Sequence, residues 1–270
     1  HKMTIEDGGL ISGSPLYLGN AGGHSNTLTI TGSNTVVDQV AILYVANDSN
    51  LTGNWLDIAN GATVTNVAFR IGNNGCSGNA LSVTNGGRLF TSASVVNIGY
   101  LGAASNTALV SGADSMWDAG GNAVEVGDVG QAASSNVLIV ADGGRVQNVS
   151  QFTVVSNNSL HLLGGTISAA TVTLNADSET VVGINAESGP GVGWGQLATT
   201  GASHALGGTL KPVLKTGFKP AGSVTFTIMT NSSGSITGTF ANAGDADGFK
   251  KQFGAVGGTC KSCHDDFKNK

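Results

Sequence analysis

The strongest constraint on the fold of this 270-residue sequence is an internal repeat of about 27 residues. Its clearest mark is an asparagine followed by two apolar residues in alternation, as in Asn79-Ala-Leu81-Ser-Val83. The repeated asparagines are Asn26, Asn54, Asn79, Asn106 and Asn136, at spacings of 28, 25, 27 and 30 residues. A period of this length predicts a chain built from stacked copies of one small unit.

Three further features recur with the same period. An apolar residue followed by glycine precedes most of the asparagines, at Leu18-Gly19, Ile71-Gly72, Ile98-Gly99 and Val126-Gly127, with Val45-Ala46 in one deviating copy. A turn, usually with glycine, follows each apolar pair, and a third apolar position closes the unit at Val36, Val64, Leu89, Trp117 and Val146. Four features that agree at one period are not a coincidence of composition.

The repeat predicts coils of short strands, each hydrogen-bonded to the coils on either side at a spacing of about 4.8 Å. Alternation directs Leu28, Leu81 and Leu138 into one interior column and leaves the intervening Thr and Ser facing water. The asparagines are expected to form a ladder from coil to coil. The glycines are expected at turns that need a positive φ.

The composition agrees with such coils and excludes other classes. The chain has 42 Gly, only 11% charged residues and few of the residues that favour helices, so a helical domain is excluded for most of its length. Its 40% of hydrophobic residues recur regularly, which argues against disorder. No run is basic enough to predict nucleic-acid binding, and no stretch reaches the roughly 20 apolar residues of a membrane span.

Residues 96–130 (VNIGYLGAASNTALVSGADSMWDAGGNAVEVGDVG) and 81–90 (LSVTNGGRLF) resemble a repeat of bacterial autotransporter passengers and of exported proteins with a PEP-type C-terminal sorting signal. Residues 207–240 look like the segment that closes the solenoid in those proteins. The resemblance covers about residues 10–243. It implies a right-handed parallel β-helix domain over residues 1–243, exported and located outside the cell, on its surface or in the periplasm.

The repeat is weakest between residues 147 and 206. Val154 keeps the apolar position 28 residues after Val126, but the next loop is shortened to reach Leu160 and Leu162. Residues 185–205 contain Pro190, Trp194 and His204 and are interpreted as an insertion or long loop rather than a coil.

The composition changes after Gly244, where a second domain, residues 244–270, is predicted. Its apolar and sulfur-containing residues follow steps of 4, 3, 4, 3 and 4 residues, at Phe249, Phe253, Val256, Cys260, Cys263 and Phe267. These steps predict a short α-helix with one apolar stripe. Gly254, Gly257 and Gly258 weaken that helix, so it should require packing to be stable.

The helix carries Cys260-Lys-Ser-Cys263-His264, the attachment signature of a c-type haem. The two thiols suit thioether bonds to the porphyrin vinyl groups, and His264 suits the proximal position on the iron. A thioredoxin-like dithiol would need a βαβ setting, and a zinc site would need a second ligand pair at short range. The sequence has neither, so haem is the favoured cofactor.

Residues 253–268 (FGAVGGTCKSCHDDFK) closely resemble the last helix of cytochrome c′, a class II cytochrome c. That family is a four-helix bundle with one covalent haem near its C-terminus, held by a single histidine. The resemblance implies thioethers at Cys260 and Cys263 and iron ligation by His264. It covers about 25 residues, and the family's other three helices have no counterpart in this chain.

Something else must therefore cover the haem, either the flank or end of the solenoid or the tail of a neighbouring chain. Candidate sixth ligands are His1, His24, His161, His204 and Met229, although a lone histidine in a loop rich in Gly and Ser is usually only solvated. Cys76 is left unpaired, and no disulfide within the chain is predicted. The Asn and Asp of residues 47–50 are explained better as turn residues than as calcium ligands.

Three functions remain open. The first is a surface or coat protein that self-associates into a stacked oligomer or filament, with haems that transfer electrons. The second is a solitary electron-transfer protein that uses the solenoid as a spacer and meets a redox partner protein. The third, a polysaccharide-active enzyme, is disfavoured because Asp114, Asp118, Glu125 and Asp128 cluster in a region with no Arg or Lys between Arg88 and Arg145.

Overall fold

The computed structural model describes residues 1–242, apart from residues 14, 39, 93–94, 221–223 and 234. Strands are the only regular secondary structure in this part of the chain. In chain order they are β1 (Lys2–Ile5), β2 (Leu10–Ser12), β3 (Leu16–Leu18), β4 (Thr27–Thr31), β5 (Val36–Asp38), β6 (Ile42–Val45), β7 (Trp55–Ala59), β8 (Thr63–Ile71), β9 (Ala80–Thr84), β10 (Arg88–Thr91), β11 (Val95–Ile98), β12 (Thr107–Ser111), β13 (Met116–Val126), β14 (Val137–Ala141), β15 (Arg145–Val154), β16 (Ser159–Leu163), β17 (Thr166–Leu174), β18 (Glu179–Ile184), β19 (Gln196–Thr199), β20 (Ser203–Leu206), β21 (Thr209–Leu214), β22 (Met229–Asn231) and β23 (Ser235–Gly238).

Two parallel sheets run along the molecule. The first follows the order β1-β4-β7-β9-β12-β14-β16-β18-β21, and the second follows β2-β5-β8-β10-β13-β15-β17-β19-β22, with shorter strands beside this path. Each strand of the first sheet is followed in the chain by one or two strands of the second, so the chain makes one circuit of the core per repeat. The described residues therefore form the predicted all-β parallel solenoid, of the right-handed type.

The interior column predicted from the repeat is present. Leu28 pairs with Leu56 and Leu56 with Leu81, while Ala108 stands between Leu81 and Leu138. All five are at most 2% exposed. Because the strands are parallel and in register, one alternating pattern per coil is sufficient to make a continuous core.

The predicted asparagine ladder lies at the corner before the first sheet. The side-chain Nδ2 of each asparagine donates to Oδ1 of the next at 2.9–3.1 Å, and the backbone N–H donates to the same oxygen. The ladder runs through Asn26, Asn54, Asn79, Asn106 and Asn136 and continues to Asn158. Five of its six side chains are buried, each at most 2% exposed, so the ladder joins successive coils through bonds shielded from water.

The glycine of the apolar-Gly element faces this ladder. Gly72 has φ +68°, and a Cβ at that position would lie 2.4 Å from Nδ2 of Asn106. The same construction at Gly99 meets Asn136 at 2.3 Å. The element therefore needs glycine both for its backbone conformation and for the space that the ladder takes.

One prediction about register was wrong. The inward residue of β5 is Val37, which pairs with Val64 and is 0% exposed, whereas Val36 was expected there. Two adjacent valines give no alternation of their own, so only pairing with the neighbouring coil decides which one points inward.

The interpretation of residues 185–205 as a loop was also wrong in its second half. Strands β19 and β20 lie within or reach into this range and pair with β17, so the non-coil segment is confined to residues 185–195. Leu197 pairs with Ile167, and His204 is 1% exposed. The prediction failed because the coil here has no ladder asparagine, although its backbone pairing continues. The expected alignment of Val126 with Val154 is confirmed.

The predicted helix over residues 244–270 lies outside the described residues. Within the described part, no helix has the length and apolar character needed to cross a membrane.

Candidate functional site

The three predicted haem residues, Cys260, Cys263 and His264, lie outside the described residues. The described chain ends at Asn242, on the last coil of the solenoid. The geometry that bears on the haem segment is therefore the geometry of that coil.

The free edge of the last strand in the first sheet, β21, is largely closed to another strand. The N–H groups of Thr209 and Lys215 donate to carbonyls of the preceding coil. Alternate residues of a strand direct their N–H groups to opposite neighbours, so those of Leu210 and Leu214 point to the open edge, and Pro212 between them has no N–H. The Asn242 side chain satisfies both backbone groups of Leu210. Its Oδ1 accepts from the Leu210 N–H at 3.1 Å, and its Nδ2 donates to the Leu210 carbonyl at 2.7 Å.

The core behind this edge is open. An apolar cavity of about 220 Å³ lies at the C-terminal end of the solenoid, between the last strands of the two sheets. Its lining includes Leu197, Leu206, Leu210, Met229, Ile236 and Phe240. Ile236 is 44% exposed, whereas inward residues of central coils such as Ile167 are 0% exposed. An apolar interior is thus left uncovered by the described chain at this end.

Two of the candidate sixth ligands already have other partners. Both ring nitrogens of His204 are engaged: Nδ1 accepts from the Val172 N–H at 3.2 Å, and Nε2 lies 3.2 Å from the Gly201 carbonyl. Nδ1 of His24 accepts from the Thr52 N–H at 3.2 Å. The buried His204 is therefore a structural residue of its coil, and the sequence suggestion of a solvated histidine does not hold for it.

The other three candidates lie at different places. Met229 lines the apolar cavity at the C-terminal end. His161 is half-buried on the first sheet, and burial lowers its pKa below the ordinary 6.5, with Glu179 opposing that shift. His1 is exposed at the opposite end of the solenoid. Of the five candidates, Met229 is the one that lines this cavity.

The four carboxylates considered as an enzyme site form hydrogen bonds or ion pairs with neighbouring coils. Asp118 accepts two amide side-chain bonds from the next coil, at 2.6 and 2.9 Å, and Asp128 accepts a backbone N–H at 2.9 Å. Asp114 forms an exposed ion pair with Arg145 at 3.8 Å. Burial raises the pKa of Glu125, whose Oε2 accepts an amide bond from the preceding coil. Among the described residues, no three His, Cys, Asp or Glu side chains converge on a metal site.

An aromatic and cationic cluster on the second sheet was missed by the sequence reasoning. The Tyr17 and Tyr44 rings pack edge to face at 5.9 Å, and the Arg70 guanidinium lies 5.3 Å from the Tyr44 ring and 3.8 Å from the Tyr100 ring. Tyr17, Tyr44 and Arg70 occupy one column of the sheet. The repeat contained the signal, because these residues are 27 and 26 positions apart.

Cys76 has a structural role in the solenoid. It is 0% exposed, packs with Ala46 and Leu51, and its thiol donates to the Asp48 carbonyl. Burial raises the pKa of this thiol. Cys76 is therefore poorly suited to react with a haem vinyl group, which requires an accessible thiol.

Comparison with known protein families matches the C-terminal part of the chain. A family model described as cytochrome c′ matches residues 226–268. A cytochrome c′ of Rhodocyclus tenuis is 38% identical over 81 residues, which are 29% of this chain and 59% of that protein. The chain thus spans about six-tenths of the length of this curated relative. No solved structure matches the chain.

The family match overlaps the solenoid. It begins at Phe226, so β22 and β23 of the last coil lie inside it, and it extends through Cys260, Cys263 and His264. The stretch matched by the family model thus starts on the coil that ends the described chain.

Proposed function

We propose that this chain is an exported electron-transfer protein in which a β-solenoid carries one covalently attached c-type haem. The observation that carries the proposal is the sequence Cys260-Lys-Ser-Cys263-His264 inside the stretch matched by the cytochrome c′ family. Homology to cytochrome c′ implies a covalent haem with iron.

The donor set of this segment fits the group. Two thiols in a Cys-x-x-Cys spacing suit the two porphyrin vinyl groups, and the imidazole that follows directly suits the iron. Cys260 and Cys263 would hold the porphyrin, and His264 would be the proximal ligand. The haem would supply one-electron transfer, and the chain's own residues would set how exposed the porphyrin edge is to a redox partner.

The solenoid supports a role as a rigid scaffold. Carboxylates and amides of the described residues form hydrogen bonds from one coil to the next, and Arg70 contacts an aromatic ring of a neighbouring coil. The haem segment is then the part of the chain that would carry redox chemistry. The blocked edge of β21 favours single molecules over a filament of end-to-end stacked solenoids. Electron microscopy of the purified protein separates these two arrangements.

The haem is tested by producing the chain in a host that matures c-type cytochromes. We expect the intact mass to increase by one haem and the denatured protein to give a c-type spectrum in alkaline pyridine. Cys260→Ser combined with Cys263→Ser should abolish the covalent adduct, while Cys76→Ser should retain it, because that thiol is buried in the solenoid. An unmodified wild-type mass from such a host would reject the proposal.

A second candidate, a polysaccharide-active protein, is supported by one observation. Tyr44, Arg70 and Tyr100 stack on the second sheet, and Glu125 lies two coils further along the column of Arg70. Aromatic rings beside charged groups suit sugar and uronate recognition. Activity on pectin-like polymers that is lost in Glu125→Gln would favour this candidate, and no activity or binding would remove it.

A further inference from the structure

The apolar cavity at the C-terminal end of the solenoid requires a cover. Its lining continues the interior columns of the core, but no further coil stacks on it in the described chain. Ile236 and Val213 are exposed to nearly the same extent, 44% and 42%, yet only Ile236 lines the cavity. Solenoids generally close such ends with a capping element, because an open core exposes apolar surface to water.

Another β-strand is a poor cover for this end. Pro212 removes one N–H from the free edge of β21, and Asn242 already satisfies the N–H and carbonyl of Leu210. Lys211 in this strand and Lys215 directly after it add charge, a common device against edge-to-edge pairing. A second copy of the solenoid would therefore find few backbone groups to pair with on this strand.

The chain itself supplies a different kind of cover. Asn242 is fixed on the edge of β21, and residues 243–270 continue from that point. Their sequence has an apolar stripe at helical spacing that includes Phe249, Phe253 and Phe267. A helix of about 20 residues is about 30 Å long. The covalent connection keeps this segment at a high effective concentration beside the cavity.

We propose that the apolar stripe of residues 249–267 packs over the open C-terminal end of the solenoid and closes its core. The haem segment is then a cap, held against the cavity lined by Leu206, Met229 and Ile236. The inference builds on the proposed function, which puts the haem on the same segment, but the covering of the core can be tested separately.

The test uses hydrogen exchange on the full chain. Ile236→Asn is compared with Val213→Asn, since the two residues are exposed to nearly the same extent and both lie on strands of the last coil. If the cap covers the cavity, Ile236→Asn should accelerate amide exchange in residues 206–240 on the order of tenfold, and Val213→Asn much less. Amides of β1 and β4, at the opposite end, serve as the internal reference.

A second pair of variants tests the cap from its own side. Phe249→Ser with Phe253→Ser should accelerate exchange in the same residues, while Lys250→Ser with Lys251→Ser, off the stripe, should not. Adding Ile236→Asn to the double Phe variant should then have little further effect, because the contact is already lost.

Three results would overturn the proposal. These are equal effects of Ile236→Asn and Val213→Asn, no effect of the double Phe variant, or protection that falls on dilution, which would assign the cover to a second copy. The intact mass of each sample reports haem attachment independently. A missing haem in the wild-type protein would reject the proposed function and still leave the exchange data to decide whether the cap exists.

Discussion

Single residues of the solenoid are constrained most tightly where glycine meets the asparagine ladder. Gly72 and Gly102 both have positive φ, +68° and +75°, so alanine should cost a similar backbone strain at each. A Cβ at Gly72 would lie 2.4 Å from Asn106 Nδ2, whereas nothing lies within 4 Å at Gly102. Gly72→Ala should therefore lower the free energy of unfolding by about 1–3 kcal/mol more than Gly102→Ala, measured by denaturant titration. Equal losses of unfolding free energy in the two variants would show that Asn106 can move away from the added Cβ without destabilising the protein.

Glu125 should make stability depend on pH. Burial is the main cause that raises its pKa above the ordinary 4.5, and the carboxylate of Asp128 adds to the shift. The folded state then holds the proton more tightly than the unfolded state, so this contribution to stability is present below pH 4.5 and is lost as pH rises through the folded-state pKa.

Glu125→Gln should remove that loss, because the amide stays neutral at every pH. Relative to wild type, the variant should gain thermal stability as pH rises from 4 toward neutrality, measured as melting temperature in a pH series. Glu6→Gln, at an exposed position of the first coil, is the control. A difference between variant and wild type that stays constant with pH would contradict the assignment.

At the scale of elements, the ladder joins the coils. Asn106 accepts from the N–H and Nδ2 of Asn79, and its own Nδ2 donates to Asn136 and to the Cys76 carbonyl, all out of contact with water. Asn106→Ala leaves several buried groups without partners and should lower the free energy of unfolding by about 2–5 kcal/mol.

Asn20→Ala is the matched control for the ladder prediction. Asn20 Oδ1 also accepts an amide from the next coil, from Asn47 at 3.3 Å, but Asn20 is exposed. Its loss should cost less than about 1 kcal/mol, because water replaces the bond. If Asn106→Ala and Asn20→Ala lower the free energy of unfolding equally, burial does not strengthen the hydrogen bonds of the ladder.

Elements with a strong periodic mark could be predicted from sequence, and those without it could not. The positions of Asn79, Leu81 and Gly72 could be predicted, because each has a side-chain or backbone requirement that recurs in every coil. Coils near Leu197 and His204 lack the ladder asparagine, and their strands depend on backbone pairing that any residue can make. The choice between Val36 and Val37 likewise depends on a neighbouring coil and not on the local sequence.

The same distinction applies to the haem segment in the whole molecule. Cys260, Cys263 and His264 form a local motif, so the cofactor can be inferred from five consecutive residues. The cavity beside Met229 and Ile236 is lined by residues of strands far apart in sequence. No local sequence pattern therefore predicts that the last coil is open. The open end of the core is therefore visible only in the arrangement of strands.

As a whole molecule, a solenoid should tolerate the loss of one complete coil better than the loss of half a coil. Deleting residues 80–106 joins Asn79 to Thr107 and removes β9, β10 and β11 together. Their neighbours are already in register, since Ile58 aligns with Val110 through Val83, and Ile71 with Val126 through Ile98. Asn79 can then take Asn136 as its next ladder partner.

The shortened chain should fold cooperatively, with strand content reduced in proportion and with the haem segment still attached to its last coil. Deleting only residues 80–92 removes about half as many residues but shifts β11 into the place of a first-sheet strand, which breaks both the interior columns and the ladder. Circular dichroism and thermal melting should therefore show that the smaller deletion does the greater damage. If the full-coil deletion unfolded the chain while the half-coil deletion did not, the coils could not be interchangeable units held by pairing with their neighbours.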